Sequence, residues 1–284
     1  MRLVATVFLW LVTTALLAVS VPTMWAQRNI VSEDGYVALA TAAAKDPDLQ
    51  AATASELTTQ ILKFAAENGY PLRNAELVRN AVETYTGNAG FPGQFGQANR
   101  IAHRWMFTDS VRHEGISSDR WLVDIAPMLN DSSLKATLGD LDLDVPQTYT
   151  VPITVPEDSA LRPGQLRTVA TWAPWISVGS TVLAGVFALL TLAAARSRGK
   201  AFAALGVSAL LVGATGWAAV EVARRYVDAA LDHTTGDIRL IAEAMVVHAE
   251  GSLHHWLNLT LAAGGALVVF GVLVAMLGGL VRRD

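Results

Sequence analysis

Four runs of the sequence, about Leu3–Val21, Val169–Ala195, Ala201–Val220 and Leu253–Val281, are apolar throughout. Each is long enough to cross a hydrocarbon core of about 30 Å, which takes about 20 helical residues. No other feature constrains the fold as strongly, because a backbone in lipid must satisfy its own polar groups and does so here as helix. With 52% hydrophobic and 16% charged residues in 284, the chain is too apolar for an ordinary soluble domain. The first run could be read as a secretory signal peptide. Its length exceeds the usual apolar core of such a peptide, and "TMWAQ" is a poor small-x-small cleavage site, so an uncleaved signal anchor is expected.

Charge sets the expected orientation. Arg2 precedes the first span, Arg196, Arg198 and Lys200 fill the turn between spans two and three, and Arg282 and Arg283 follow the fourth. Basic residues favour the cytoplasmic side, so both termini are expected inside the cell. Of the 25 acidic residues only Asp284 falls on that side. Trp25, Trp172, Trp175 and Trp256 all fall at the opposite ends of the spans, where an indole can bury its ring and keep its N–H wet.

Several function classes are disfavoured. The span interiors carry no Asp, Glu, Lys or Arg, and Glu221 stands at the outer end of span three. A pump or proton-coupled carrier needs such groups facing the bundle. The net charge of −4 and the scattered bases argue against a nucleic-acid partner. With no cysteine, thiolate metal sites, disulfides and cysteine nucleophiles are excluded. Small residues four apart, Ala209 with Gly213, Gly271 with Ala275 and Ala275 with Gly279, suit close helix packing, within the chain or against a second copy.

Between spans one and two lies a polar segment, about 26–168, long enough for a domain with its own core. Ser32 is expected to cap a first helix that stops near Asp46-Pro47. A second helix carries Leu49, Ala52, Leu57, Ile61, Leu62 and Phe64 or Ala65 at helical spacing and ends at Asn68-Gly69. A third carries Leu77, Val78, Ala81, Val82 and Tyr85, and Gly87 can stop it. After the loop "NAGFPGQFGQ", a fourth helix from about Phe95 to Ser110 has Ile101, Ala102, Trp105 and Met106 as its core stripe. Two strand-like runs follow, "RWLVDIAP" and "QTYTVPITVP", with a short helix "DSSLKATLGDL" between them. They are expected to form a small two-stranded sheet packed by helices.

The stretch "FGQANRIAHRW" sets a polar cluster beside that apolar stripe. Asn99 and His103 are one turn apart, with Arg100 and Arg104 beside them. As a site, Arg100 and His103 would take an anionic group of the envelope, since a guanidinium offers a planar fork and imidazole changes charge near neutral pH. As structure, Asn99 and His103 would satisfy backbone groups of the preceding loop while Arg100 pairs with a carboxylate. The second reading is the simpler one.

At these residues the chain resembles a known family. The strings "YVALATAAAKDPDLQAATASELTTQI", "FPGQFGQANRIAHRW" and "WLVDIAPML", with the return to the membrane, resemble a family of uncharacterised actinobacterial integral membrane proteins. The matching motifs are Asp-Pro-x-x-Gln at Asp46 and Pro47, and Ala-Asn-Arg-x-Ala-His at Ala98, Asn99, Arg100, Ala102 and His103. Asp48 and Leu49 replace the usual small and aliphatic pair, and Phe95 stands where many relatives carry a tryptophan. The resemblance implies a signal-anchored helix, an outer helical domain and closing transmembrane helices, without a reaction.

The loop between spans three and four reads as an extension of span three, a turn at "HTTGD" and a returning helix. It gathers His233, His248, Glu250, His254 and His255, with Asp228, Asp232, Asp237 and Glu243 nearby, all residue types that ligate metals. Glu250 and His254 are one turn apart and could share an ion, with His233 or Asp237 arriving across the hairpin. No standard ligand spacing is present, and a solvated helix pair is the simpler reading, with Arg224 and Asp228 as an i, i+4 pair. Neither a Gly-x-Ser-x-Gly elbow nor a phosphate-cradling Walker loop occurs. Asp140, Asp142 and Asp144 alternate, as a calcium-binding strand edge or a solvated turn would.

The expected fold is a mainly α membrane protein with four transmembrane helices and a helix-rich α+β extracytoplasmic domain containing a small two-stranded sheet. Its parts are an anchor at 1–25, the outer domain at 26–168, a transmembrane hairpin at 169–222, an outer helical hairpin at 223–252 and a final span with a short cytoplasmic tail at 253–284. The expected function is a non-enzymatic scaffold or accessory subunit of the plasma membrane and cell envelope. Its partners would be the lipid bilayer and another envelope protein or a second copy, with no cofactor. The alternatives are a metal-binding sensor or metal-dependent enzyme using the loop histidines, and, behind it, a passive channel or lipid carrier.

Overall fold

Each long apolar run is helical. In a computed structural model the spans belong to α1 (Arg2–Ala26), α7 (Arg167–Ala194), α8 (Arg198–Leu231) and α9 (Asp237–Leu280). Four helices among the described residues are therefore long and apolar enough to cross a membrane, and the chain is a multi-pass membrane protein. The structure describes residues 2–67, 69, 75–108, 120–124, 126–130, 147, 150–154, 164, 166–232, 234 and 236–280. The expected helix at "DSSLKATLGDL", the acids Asp140, Asp142 and Asp144, His233, and the tail from Val281 to Asp284 lie outside them.

The chain divides into two compact units. One comprises 1–30, 170–226 and 250–284, and the other 31–169 and 227–249. The first holds most of the four apolar helices; the second is a polar, helical unit. Helix α9 contributes to both. Its 44 residues make about 66 Å of helix at 1.5 Å per residue, about twice the thickness of a hydrocarbon core.

In the polar unit, α2 (Glu33–Ala43) packs on α5 (Phe91–Phe107), and α3 (Pro47–Glu67) on α4 (Ala75–Thr86). Ser32 caps α2 through its hydroxyl, which accepts from Gly35 N at 3.5 Å, and Glu33 and Asp34 suit the positive end of the helix. Pro47 opens α3, where a missing N–H costs nothing, while the Asp46 carboxylate accepts from Asp48 N at 2.9 Å. Helix α5 begins earlier than its pattern suggests, because Pro92 fits a first turn and the glycine-rich run after it is helical. Gly96 then lets α5 lie against α2: a Cβ there would collide with Thr41 and crowd Val37.

The core of this unit gathers Leu49, Leu57, Ile61, Val78, Val82, Tyr85, Phe91 and Phe95 from α3, α4 and α5, with Met128 from α6 (Ala126–Leu129). Ile241, Ala244 and Met245 of α9 pack against it. The hairpin expected to stand alone as a solvated pair thus gives one face of its returning helix to the polar unit. Two expected core positions are wrong: Leu77 is 48% and Ile101 39% exposed.

The expected α+β class is also corrected, because the polar unit is an α domain whose core is helix on helix. Two short extended segments, Arg120–Asp124 and Thr150–Thr154, run antiparallel, with Arg120 opposite Thr154. A layer of sheet under helices needs a strand face to bury, and here the helices already enclose one another.

The membrane unit packs differently. Gly199, Gly206 and Gly213 of α8 are seven apart, and they meet Gly271 and Ala275, Gly264 and Val268, and Leu261 and Leu257 of the antiparallel α9. A Cβ on Gly206 would stand 2.6 Å from Gly264 O. The seam therefore follows a heptad of small residues, whereas the sequence pattern drew attention to pairs four apart. Helix α1 docks on α8 by polar contacts: Trp10 Nε1 donates to Ala204 O at 2.8 Å, and the Thr14 and Ser208 hydroxyls lie 2.7 Å apart.

Candidate functional site

The polar cluster of α5 faces the start of α2. Glu33, in the first turn of α2, receives Arg100 Nη1 at 2.7 Å and Arg104 Nη2 at 2.9 Å on Oε1, and Arg104 Nε at 2.9 Å on Oε2. Arg104 thus holds the carboxylate with a two-pronged fork. Arg100 also reaches Asp34 at 3.2 Å, and its buried Nε has no acceptor among the described residues. The Arg104 hydrogen bond, with help from Arg100, holds the Glu33 carboxyl below its ordinary value against a burial penalty. The same bond raises Arg104.

Behind this ion pair sits His103, 4% exposed. Its Nε2 lies 3.1 Å from Val31 O, and a carbonyl only accepts, so Nε2 carries the hydrogen and donates it. Val31 ends a π-helical turn, Gln27–Val31, just before the Ser32 cap. The imidazole therefore satisfies a carbonyl at a break between helices. Its ring stacks on Phe107, with centroids 4.3 Å apart, and leans on Tyr36 at 5.3 Å. Burial pushes the Tyr36 phenol above its ordinary value. The phenol donates to Asn99 Oδ1 at 3.4 Å, while the Asn99 amide returns to Phe95 O at 3.0 Å.

All four residues singled out by sequence, Asn99, Arg100, His103 and Arg104, thus come together. They hold α5 against the entry to α2, and Asn99 also meets the glycine-rich stretch at Phe95 O, although from Phe91 on that stretch is helix and not loop. Glu33, Tyr36 and Phe107 complete the cluster. Glu33 was not singled out by the sequence, since nothing in the linear pattern joins it to residues about 70 positions on.

The residues of the second cluster disperse. Arg224 pairs with Glu250 at 3.7 Å, in place of Asp228. The His254 ring stacks on Trp217 with centroids 3.7 Å apart, and Trp217 Nε1 donates to Asn258 Oδ1 at 3.2 Å. Arg239 bridges Asp232 and Glu243, at 3.1 and 2.7 Å. Among the described residues, no three His, Asp or Glu side chains, including His248, Glu250, His254 and His255, gather as a metal would require. His233 lies outside the described residues. No family model, curated protein or solved structure matches this chain.

Proposed function

We propose that the protein is a non-enzymatic docking platform of the cell envelope, a helical unit carried directly on membrane helices that receives a partner at the outer face of the plasma membrane. One observation supports this reading above the others: every passage of the chain between its two units lies inside a helical element. The passages at 30/31, 169/170, 226/227 and 249/250 fall in the π turn, α7, α8 and α9. A domain meant to range through the envelope would ride on extended linkers, and the four passages contain none. The placing of Arg196, Arg198 and Lys200 together where α7 turns into α8 supports an inside location for that turn and an outside location for the polar unit. The resemblance to actinobacterial membrane proteins is part of the same reading.

The absence of cysteine makes the orientation testable on single-cysteine variants. Glu83→Cys should react with a membrane-impermeant maleimide in intact cells, and Ser197→Cys only after lysis; the reverse pattern overturns the orientation. A photo-crosslinking residue at position 101 or 77, where the side chain is exposed, tests docking. Reproducible capture of one membrane or envelope protein supports the platform, and recovery of this chain alone by a folded variant counts against it.

A further inference from the structure

A second constellation lies wholly in the membrane unit, where α1 passes into its π turn. Trp25 Nε1 donates to Ser252 Oγ at 3.2 Å, and the Arg28 guanidinium sits over the Trp256 ring, 5.9 Å from its centroid. Ser252 and Trp256 are one turn apart, so one face of α9 holds the end of α1 at two points. The Asn29 amide folds back to Trp25 O at 2.9 Å. Such π turns inside helices recur at functional sites because they re-aim side chains.

The charges here are unequal. Arg224 is met by Glu250, whereas Arg28, exposed and inside the apolar span Leu3–Val31, makes no ion pair among the described residues. The neighbouring Gln27 Oε1 is buried and has no donor among them. A bare cation at the end of an apolar helix stands at the depth of the phosphodiesters, which are its natural counter-charge. The Trp256 ring attracts the guanidinium without using its N–H donors, which can take two phosphate oxygens.

We propose that the seam between α1 and α9 binds the headgroup of one anionic phospholipid, with Arg28 on the phosphate. A choline headgroup neutralises its own phosphate, whereas a glycerol headgroup leaves the phosphate as a net anion for Arg28. Phosphatidylglycerol should therefore be held in preference to phosphatidylcholine.

The test uses the full chain in mild detergent, incubated with equal amounts of the two lipids with matched acyl chains and read by native mass spectrometry. The wild type should retain phosphatidylglycerol on the order of fivefold over phosphatidylcholine, the scale of one basic residue at an anionic surface. Arg28→Gln should abolish that preference without changing the melting temperature. Arg28→Lys, which keeps the charge and loses the fork, should reduce it, and this variant decides the matter if Arg28→Gln does not fold. Equal retention by the wild type, or an undiminished preference in either folded variant, overturns the proposal.

Discussion

The two units bury opposite things. In the polar unit the largest fully enclosed side chains are Tyr85, Phe91, Leu49, Val78 and Val82; in the membrane unit they are Thr13, Thr191, Ser177 and Ser208. Large apolar residues on the outside of the membrane unit, such as Leu3, Phe8, Trp175, Leu189 and Leu277, are more than half exposed. Water drives bulky apolar groups together in the first case. In lipid there is no such drive between helices, so the second unit is assembled by close backbone approach and hydroxyl hydrogen bonds. Equal burial therefore implies unequal stabilisation in the two units.

The sharpest way to break this comparison is to truncate one enclosed residue in each unit. Phe91→Ala removes a fully buried ring that meets Tyr85 edge-on at 5.7 Å and Phe95 at 5.8 Å, and should cost about 3–5 kcal/mol. Ser208→Ala, just as buried, should cost about 0.6 kcal/mol through its bond to Thr14. Denaturation of the detergent-solubilised chain reads both, and comparable losses would refute the contrast. Enlargement should act the other way. Gly206→Leu pushes side-chain atoms into Gly264 O and Val268 N, backbone that cannot yield without parting the helices; about 3 kcal/mol is expected. Gly185→Leu in α7, with nothing within 4 Å of an added Cβ, should leave the elution profile of the purified protein unchanged.

The same contrast explains what the sequence disclosed. The spans were legible because hydropathy integrates over about 20 residues. The helix start at Ser32 and the helix stop near Asp46-Pro47 were legible because capping and proline breaks are local chemistry. The α8–α9 seam was not, since a glycine every seventh residue gains meaning only when a partner helix matches it. Nor was the place of Ile241, Ala244 and Met245 in the polar core, because a helix with one apolar face looks alike whether that face meets lipid or protein. The expected sheet misled for a related reason. Alternation in "RWLVDIAP" and "TYTVPITVP" reports a local extended preference, and says nothing of whether the core has room for a layer. In the α5 cluster the sequence supplied one half of each contact, Arg100, His103 and Arg104, while the other half, Glu33 and Val31 O, came only with the fold.

His103 offers a middle-sized effect. His103→Phe keeps a flat ring between Phe107 and Tyr36 but removes the donor to Val31 O. A buried carbonyl left without its partner costs about 1–3 kcal/mol, so the melting temperature should fall even though apolar area is gained. A rise would show that the imidazole serves something other than the junction between the π turn and α2.

An effect smaller than that of His103→Phe is the most informative about the cluster's electrostatics. Glu33 titrates below its ordinary 4.5 in the folded chain, chiefly through the Arg104 hydrogen bond. Its folded form therefore binds protons less readily than its unfolded form, and the ion pairs contribute fully above about pH 4.5 and fade as the pH falls through the lower folded value. Glu33→Gln keeps the shape and removes the charge. It should melt below the wild type at about pH 7, by less than His103→Phe because surface ion pairs contribute little. As the pH falls through the lowered folded value the two melting curves should draw together, since the wild type then loses the same charge. A gap that stayed constant with pH would mean that Glu33 acts as a helix-start hydrogen-bonding group and not as a counter-ion. Removing Arg104 separates these roles: Arg104→Gln should narrow the pH-dependent part of the gap, while the contribution of Glu33 to the N-terminus of α2 persists.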